Sequence, residues 1–374
     1  MIYLDNSSTT YKKPFSVKFT VFNSLIKYSV NPSRASYKLA LKVSEKIYNC
    51  RELFANYFNT NAENVIFTSG CTMAINLALT GSARKNGHII ATIYEHNSIL
   101  RTLEKLKETH NITYTLIKPN KSGEITTSEI TKHLKSNTYM IIINHTSNVT
   151  GHTQNIKQIG KLCKKHNLIF FVDGAQSIGH EKIDMQECNI NLLAIAGHKG
   201  LYAVTGIGAL LTNNINLKPL IHGGTGTYSD KLKQPTDSPD GFESGTQNIL
   251  GILSLYTGLK FVIKNQEKIN KKISMLTKYL ITQLNRIKNI ECYSSNYNSG
   301  VVSIMITGKD SVTISKILDE KYNIATRSGL HCAPMIHKYL GTLKSGLTRI
   351  SISYYNTKLE IKKVIKALQK IALD

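Results

Sequence analysis

Six short apolar runs in the first two thirds of the chain constrain the fold most. They are NVIFTSG (64–70), HIIATIY (88–94), YMIIINHTS (139–147), LIFFVDGA (168–175), NLLAIAG (191–197) and GALLTN (208–213). Unbroken Ile, Leu, Val and Phe, with no polar alternation, marks strands buried on both faces. Amphipathic stretches such as NIKQIGKLCKKHN (155–167) separate several of them. Strand, helix and strand in succession give a largely parallel sheet with helices on both faces. A long helical run then covers 251–289, and a smaller portion follows in which VVSIMIT (301–307) and LTRISIS (347–353) read as strands. The expected fold is α/β. An N-terminal segment (1–15) precedes a large α/β domain (16–250) and a smaller C-terminal α+β domain (251–374).

The net charge of +23 raises a nucleic-acid reading, which the distribution of charge opposes. Basic residues are scattered, in runs no longer than doublets such as Lys164-Lys165 and Lys271-Lys272, and neither zinc-finger spacing nor an aromatic RNA-binding motif occurs. A solvated basic surface, suited to an acidic partner or an anionic ligand, is the expectation, with no nucleic acid. No apolar run approaches the ~18–20 residues of a membrane span. The start, MIYLDNSSTT, lacks a basic stretch followed by an apolar one. No membrane association and a cytoplasmic setting are therefore expected. The six cysteines (50, 71, 163, 188, 292, 332) form no CxxC pair, which suits a reducing compartment, and no metal site is expected.

Ligands of open parallel sheets bind beyond the carboxyl ends of the strands. There, Ser69-Gly70-Cys71-Thr72 opens a helix-like segment and offers free N–H groups to an anion, although an ordinary capped helix reads the same way. Asp173 ends a strand after five apolar residues, where a carboxylate needs a partner or a task. Lys199, after the next strand, is either a desolvated amine nucleophile or a snorkelling surface lysine. Together, 26 residues apart (199 − 173), the two fit one cofactor. Pyridoxal phosphate needs a Schiff-base lysine, an acid at its ring nitrogen and a phosphate cup. Cys332, in the turn GLHCAP (329–334), reads as packing, a metal ligand, half a disulfide or a nucleophile, and its neighbours do not decide between these.

FVDGAQSIGH (171–180) followed by AGHKGLYAVTGIG (196–208) resembles the core signature of class V aminotransferase-fold enzymes, and within them the cysteine desulfurases with a short catalytic-cysteine loop. YLDNSSTT (3–10), NPSR (31–34), TSGCTMAINLA (68–78), EHNS (95–98), HTSNVTG (145–151), GGTGT (223–227), FESGTQN (242–248), RSGLHCAP (327–334) and RISISYYNT (349–357) are similar to successive family motifs in the same order. The resemblance implies a pyridoxal-phosphate-dependent transferase type I fold. It makes Lys199 the Schiff-base lysine, pairs Asp173 with the ring nitrogen and Gln176 with the ring hydroxyl, and stacks His96 on the ring, where it also handles protons. Cys71 and Thr72 would bind the phosphate through backbone N–H groups, with help from the Thr72 hydroxyl and His198. Thr246 would reach it from the other subunit of a homodimer. Asn148 and Arg349 would bind the substrate carboxylate. Cys332 would be the nucleophile, carried on a mobile turn, with His331 and basic neighbours supplying positive charge. The implied reaction converts L-cysteine to L-alanine and leaves sulfur on Cys332 as a persulfide for an acceptor protein, as in iron–sulfur cluster assembly. A selenocysteine lyase, an aminotransferase or another β-lyase uses the same fold. Relatives often have histidine in place of Tyr37 and DNAATT in place of DNSSTT (5–10).

Overall fold

The computed structural model describes residues 1–32, 37–294 and 296–373. Its strands are β1 (Ile2–Tyr3), β2 (Val65–Thr68), β3 (His88–Thr92), β4 (Thr113–Ile117), β5 (Thr138–Asn144), β6 (Ile169–Asp173), β7 (Leu192–Ala196), β8 (Gly208–Thr212), β9 (Ile290–Cys292), β10 (Val301–Ile306), β11 (Ile324–Ala325) and β12 (Thr348–Ser351). Seven of them form one sheet in the order β2-β8-β7-β6-β5-β3-β4. Every pairing is parallel except those of β8, which runs antiparallel to β2 and β7. Residues 197–207 contain no helix, and a parallel return needs a longer crossover, usually helical.

All six apolar runs are strands of this sheet. Successive side chains divide between two cores: Ile141 and Ile143 enter one, Met140 and Ile142 the other. Each fully buried Ile or Leu contributes about 1.5–3 kcal/mol of transfer free energy, so both faces favour unbroken apolar sequence. The seventh strand, β4, escapes that pattern because Thr113, Tyr114 and Thr115 are not buried, whereas β2, at the opposite edge, is covered throughout.

A smaller antiparallel sheet, β12-β10-β9, stands over a separate core that includes Leu280, Ile304, Ile350 and Leu368. The helix Ile249–Leu284 connects the two, placing Leu255 and Leu259 in a core of the large sheet and Leu276 and Leu280 in the smaller one. The expected boundary at 250 falls in its first turn. The chain's start belongs with its end: β1 pairs in parallel with β11, Leu4 is in the small core, and Asp5 bridges to Ser351. Among the described residues, no helix is long and apolar enough to cross a membrane.

Candidate active site

The carboxyl ends of β5, β6 and β7 open onto a cavity of about 340 Å³, walled in part by Cys71, His96, Asn144, Asp173, His198 and Lys199. Thr72, Asn148 and Gln176 border it too. Two helices, three strands of one sheet and more than a hundred residues of sequence thus converge on one space. Asp173 is 2% exposed and well supplied with donors. Its Oδ1 accepts from the Ala175 N–H at 2.9 Å and the Cys71 thiol at 3.7 Å, and its Oδ2 accepts from Asn144 Nδ2 at 3.4 Å. Burial, with the Asp173 charge, raises the Cys71 thiol well above its ordinary value, so it stays a donor. Burial lowers the Lys199 ammonium, opposed by Cys71 and Asp173 and assisted by Arg349 and Arg327.

The helix Cys71–Gly81 starts at Gly70 with no side chain capping it. Its first N–H groups and positive dipole end are therefore left for an anion. A Cβ on Gly70 would meet nothing within 4 Å, so this end of the helix is open. Burial, then the charges of Lys199 and Lys13, lower His198 to about 4, and its Nδ1 is buried without a partner. His96 accepts from Ser98 N at 3.1 Å through Nδ1, which leaves the neutral ring's proton on Nε2. Burial lowers its pKa as well. Gln176 donates to the Ser7 carbonyl at 2.9 Å. A buried carboxylate, a desolvated amine, an uncapped helix end and a bare imidazole nitrogen match the ring nitrogen, carbonyl and phosphate of pyridoxal phosphate. The residues fit the group.

The cysteine lies on a different kind of support. Gly329, His331 and Cys332 all have positive φ (+97°, +50° and +58°), a conformation that costs a non-glycine residue about 1–2 kcal/mol. Hydrogen bonds hold it in place. Asn97 N donates to the Cys332 carbonyl and Asn148 Nδ2 to the His331 carbonyl, each at 2.7 Å. The turn expected to be mobile does not stand free: it is tied to Asn97 and Asn148. Nor does His331 supply charge: it is 3% exposed, burial followed by Arg349, His337 and Arg327 lowers it to about 2, and its Nε2 donates to the Leu347 carbonyl. The cation at the sulfur is Arg327, whose Nη2 lies 3.6 Å from Cys332 Sγ.

Arg349 is 1% exposed and already partnered, by Asp5 Oδ1 and Ser8 Oγ at 2.9 Å and by the Asn148 carbonyl at 3.1 Å. Its Nε and Asn148 Oδ1 are buried without partners. Arg327 shares Ser8 Oγ, at 2.8 Å, so two guanidinium groups stand side by side. Thr246 is exposed and borders a neighbouring cavity of about 260 Å³ that shares Ser69, Met73 and Gly206 with the first. Tyr37 is 51% exposed, and residues 33 and 34 of the NPSR motif lie outside the described residues.

Sequence reasoning missed Arg327, Asn144, Asp5 and Ser8. Arg327 stands inside RSGLHCAP, and Asn144 ends a strand beside Asp173, so the strand-end rule applied to β5 would have found it. Asp5 and Ser8 carry no such signal, because long-range pairings, β1 with β11 and Asp5 with Ser351, bring them to Arg349.

Known proteins are similar to the chain over its whole length. The family Aminotransferase class-V matches residues 2–364. A probable cysteine desulfurase of Methanothermobacter thermautotrophicus is 32% identical over 99% of this chain and 94% of its own length. One of Borreliella burgdorferi is 34% identical over 99% and 92%. The apo structure of the cysteine desulfurase from Thermococcus onnurineus NA1 superposes with a TM-score of 0.92 at 28% identity, covering all of this chain and 94% of that one. The chain belongs to the class-V aminotransferase family of pyridoxal-phosphate-dependent enzymes, among the cysteine desulfurases.

Proposed function

We propose that this chain converts L-cysteine to L-alanine and holds the released sulfur on Cys332 as a persulfide. The observation that carries this reading is the pairing of the Asp173–Lys199 cavity with a cysteine whose carbonyl is fixed to the His96-capped helix by Asn97. Bound pyridoxal phosphate supplies an electron sink for the carbon skeleton. Lys199, its ammonium destabilised by burial, is the residue to hold the cofactor and to move the substrate's α-proton. Asp173 keeps the ring nitrogen protonated. His96, with its ring proton on Nε2, would lie against the cofactor ring and serve proton transfer. Gln176 orients the ring hydroxyl. The N–H groups of Cys71 and Thr72, the Thr72 hydroxyl and His198 hold the phosphate.

Asn148 and Arg349 receive the substrate carboxylate, Arg349 through its unpartnered Nε and by exchange with Asp5. The Cys332 thiolate then attacks the substrate Sγ. The Sγ–Cβ bond breaks, an Sγ–Sγ bond forms, and Cβ takes a proton to give alanine, so cysteine plus thiol balances alanine plus persulfide. An acceptor protein draws the sulfur from Cys332, which is only partly buried.

A homodimer fits two features. Thr246 is exposed, free to complete a neighbour's phosphate cup. Phe15, Phe19, Phe22 and Ile26 form an exposed stripe along the helix Phe15–Lys27, an apolar face suited to a partner surface. All six cysteines are free, in keeping with a reducing, cytoplasmic setting. The test is incubation of the cofactor-loaded protein with L-cysteine, measuring alanine and protein-bound sulfur. Equimolar alanine and persulfide in the first turnover is the expected result; pyruvate with free sulfide and no persulfide would turn the reading to a β-lyase.

A further inference from the structure

Behind the cavity wall lies a buried group that the reaction above does not use. Glu95, just before His96, is fully buried. Its Oε1 accepts three hydrogen bonds: from Thr92 Oγ1 at 2.7 Å, Thr92 N at 3.3 Å and Asn144 N at 3.0 Å. Its Oε2 has no partner. Asn144, 3% exposed, has the same deficiency: its Nδ2 donates to Asp173 Oδ2, while its Oδ1 is buried and unpartnered. Two residues already joined by a hydrogen bond thus each present an orphan acceptor. Reversing the Asn144 amide does not help, because it would set an amide oxygen against the Asp173 carboxylate.

One proton resolves both deficiencies, since a protonated carboxyl gains a donor. We infer that Glu95 is a neutral acid whose Oε2–H donates to Asn144 Oδ1, forming a relay Glu95–Asn144–Asp173 that positions the carboxylate at the cofactor's ring nitrogen. The electrostatics agree. Burial pushes Glu95 up to about 8, with the charge of Asp173 on β6 adding to it, against hydrogen bonds from Thr92 and Asn144. Glu95 and Asn144 are therefore positioning residues, acting through Asp173. This inference rests on the reading of Asp173 as the ring-nitrogen partner, but the relay itself exists in the chain without cofactor.

The experiment separates the two. Difference infrared spectroscopy of the cofactor-free full-length protein should show a carboxylic-acid C=O stretch at pH 7 that is absent in Glu95→Gln, titrates away near pH 8, and shifts in Asn144→Ser, where the acceptor is lost. Pyridoxal phosphate affinity provides the second readout. Glu95→Gln keeps a donor at the same place and should bind within about twofold of wild type, whereas Glu95→Ala and Asn144→Ser should bind about tenfold more weakly, as for one lost buried hydrogen bond. Absence of the acid band in the wild type, or Glu95→Gln binding as weakly as Glu95→Ala, overturns the relay. Wild-type protein that shows the band but binds no pyridoxal phosphate would overturn the functional reading and leave the proton on Glu95 established.

Discussion

The two halves of the site are built in opposite ways. The cofactor half is a row of strand ends: Asn144 and Asp173 close β5 and β6 and Lys199 follows β7, neighbours in one sheet. Its geometry comes from hydrophobic burial on both faces, and the polar residues are carried there by the register of the strands. The cysteine half has less of such a frame. Cys332 sits in a turn with positive φ, and its surroundings are drawn from residues 5–8, 97, 148, 327 and 349 largely by individual hydrogen bonds, with Arg349 alone on a strand of the small sheet. A sheet makes precise placement a by-product of packing; a turn needs each contact separately. Loss of one polar contact should therefore weaken binding in the cofactor half without moving its strand ends, whereas in the cysteine half it should displace the sulfur itself.

The largest expected effect separates the halves outright. Cys332→Ser should keep the cofactor's absorption band and its change on adding cysteine, while alanine formation falls on the order of 10³-fold or more. Lys199→Ala should lose the band as well. If Cys332→Ser instead releases alanine at the wild-type rate, the cysteine half has no chemical role.

Next comes the ion pair beneath the substrate arginine. Asp5→Ala leaves a 1%-exposed guanidinium without its carboxylate, which should cost about 3 kcal/mol in urea unfolding. A loss within experimental error would show that Ser8 and the Asn148 carbonyl suffice. Arg327→Leu removes the donor at Cys332 Sγ and should slow persulfide formation about tenfold or more, with cofactor affinity unchanged. A parallel loss of affinity would mean that the two halves are not separate.

The effect that is smallest per unit of change is a pH dependence of stability. Glu95, held near 8 in the fold against an ordinary 4.5, keeps its proton where the unfolded chain has lost it. Stability should thus fall as pH rises from about 4.5 to 8, by about 1.4 kcal/mol per pH unit from this group, and stay level above. The difference between wild type and Glu95→Gln across that window isolates it; identical profiles would place the proton elsewhere.

This contrast also explains what the sequence reveals. Asp173 and Lys199 are legible because a polar residue ending an apolar run has few structural reasons to be there. The six buried strands are legible for the same reason, and β4 is not, since its partly exposed face permits threonine and tyrosine. Cys332 is identified only through its family motif. That His331 is neutral and Arg327 supplies the charge depends on burial depth and on the β-bridge joining Arg327 to Arg349, neither of which is written in GLHCAP. Asp5 and Ser8 depend on a parallel pairing across more than three hundred residues, which local pattern does not encode.

The central claim is that one chain divides the chemistry between Lys199 and Cys332. Peptide mass mapping tests it most directly, on holoprotein reduced with borohydride in one aliquot and given one equivalent of L-cysteine in another. The account predicts the cofactor on the Lys199 peptide in the first and one additional sulfur atom on the Cys332 peptide in the second. Cofactor on a different lysine, or sulfur on Cys71 or any other cysteine with none on Cys332, would contradict it.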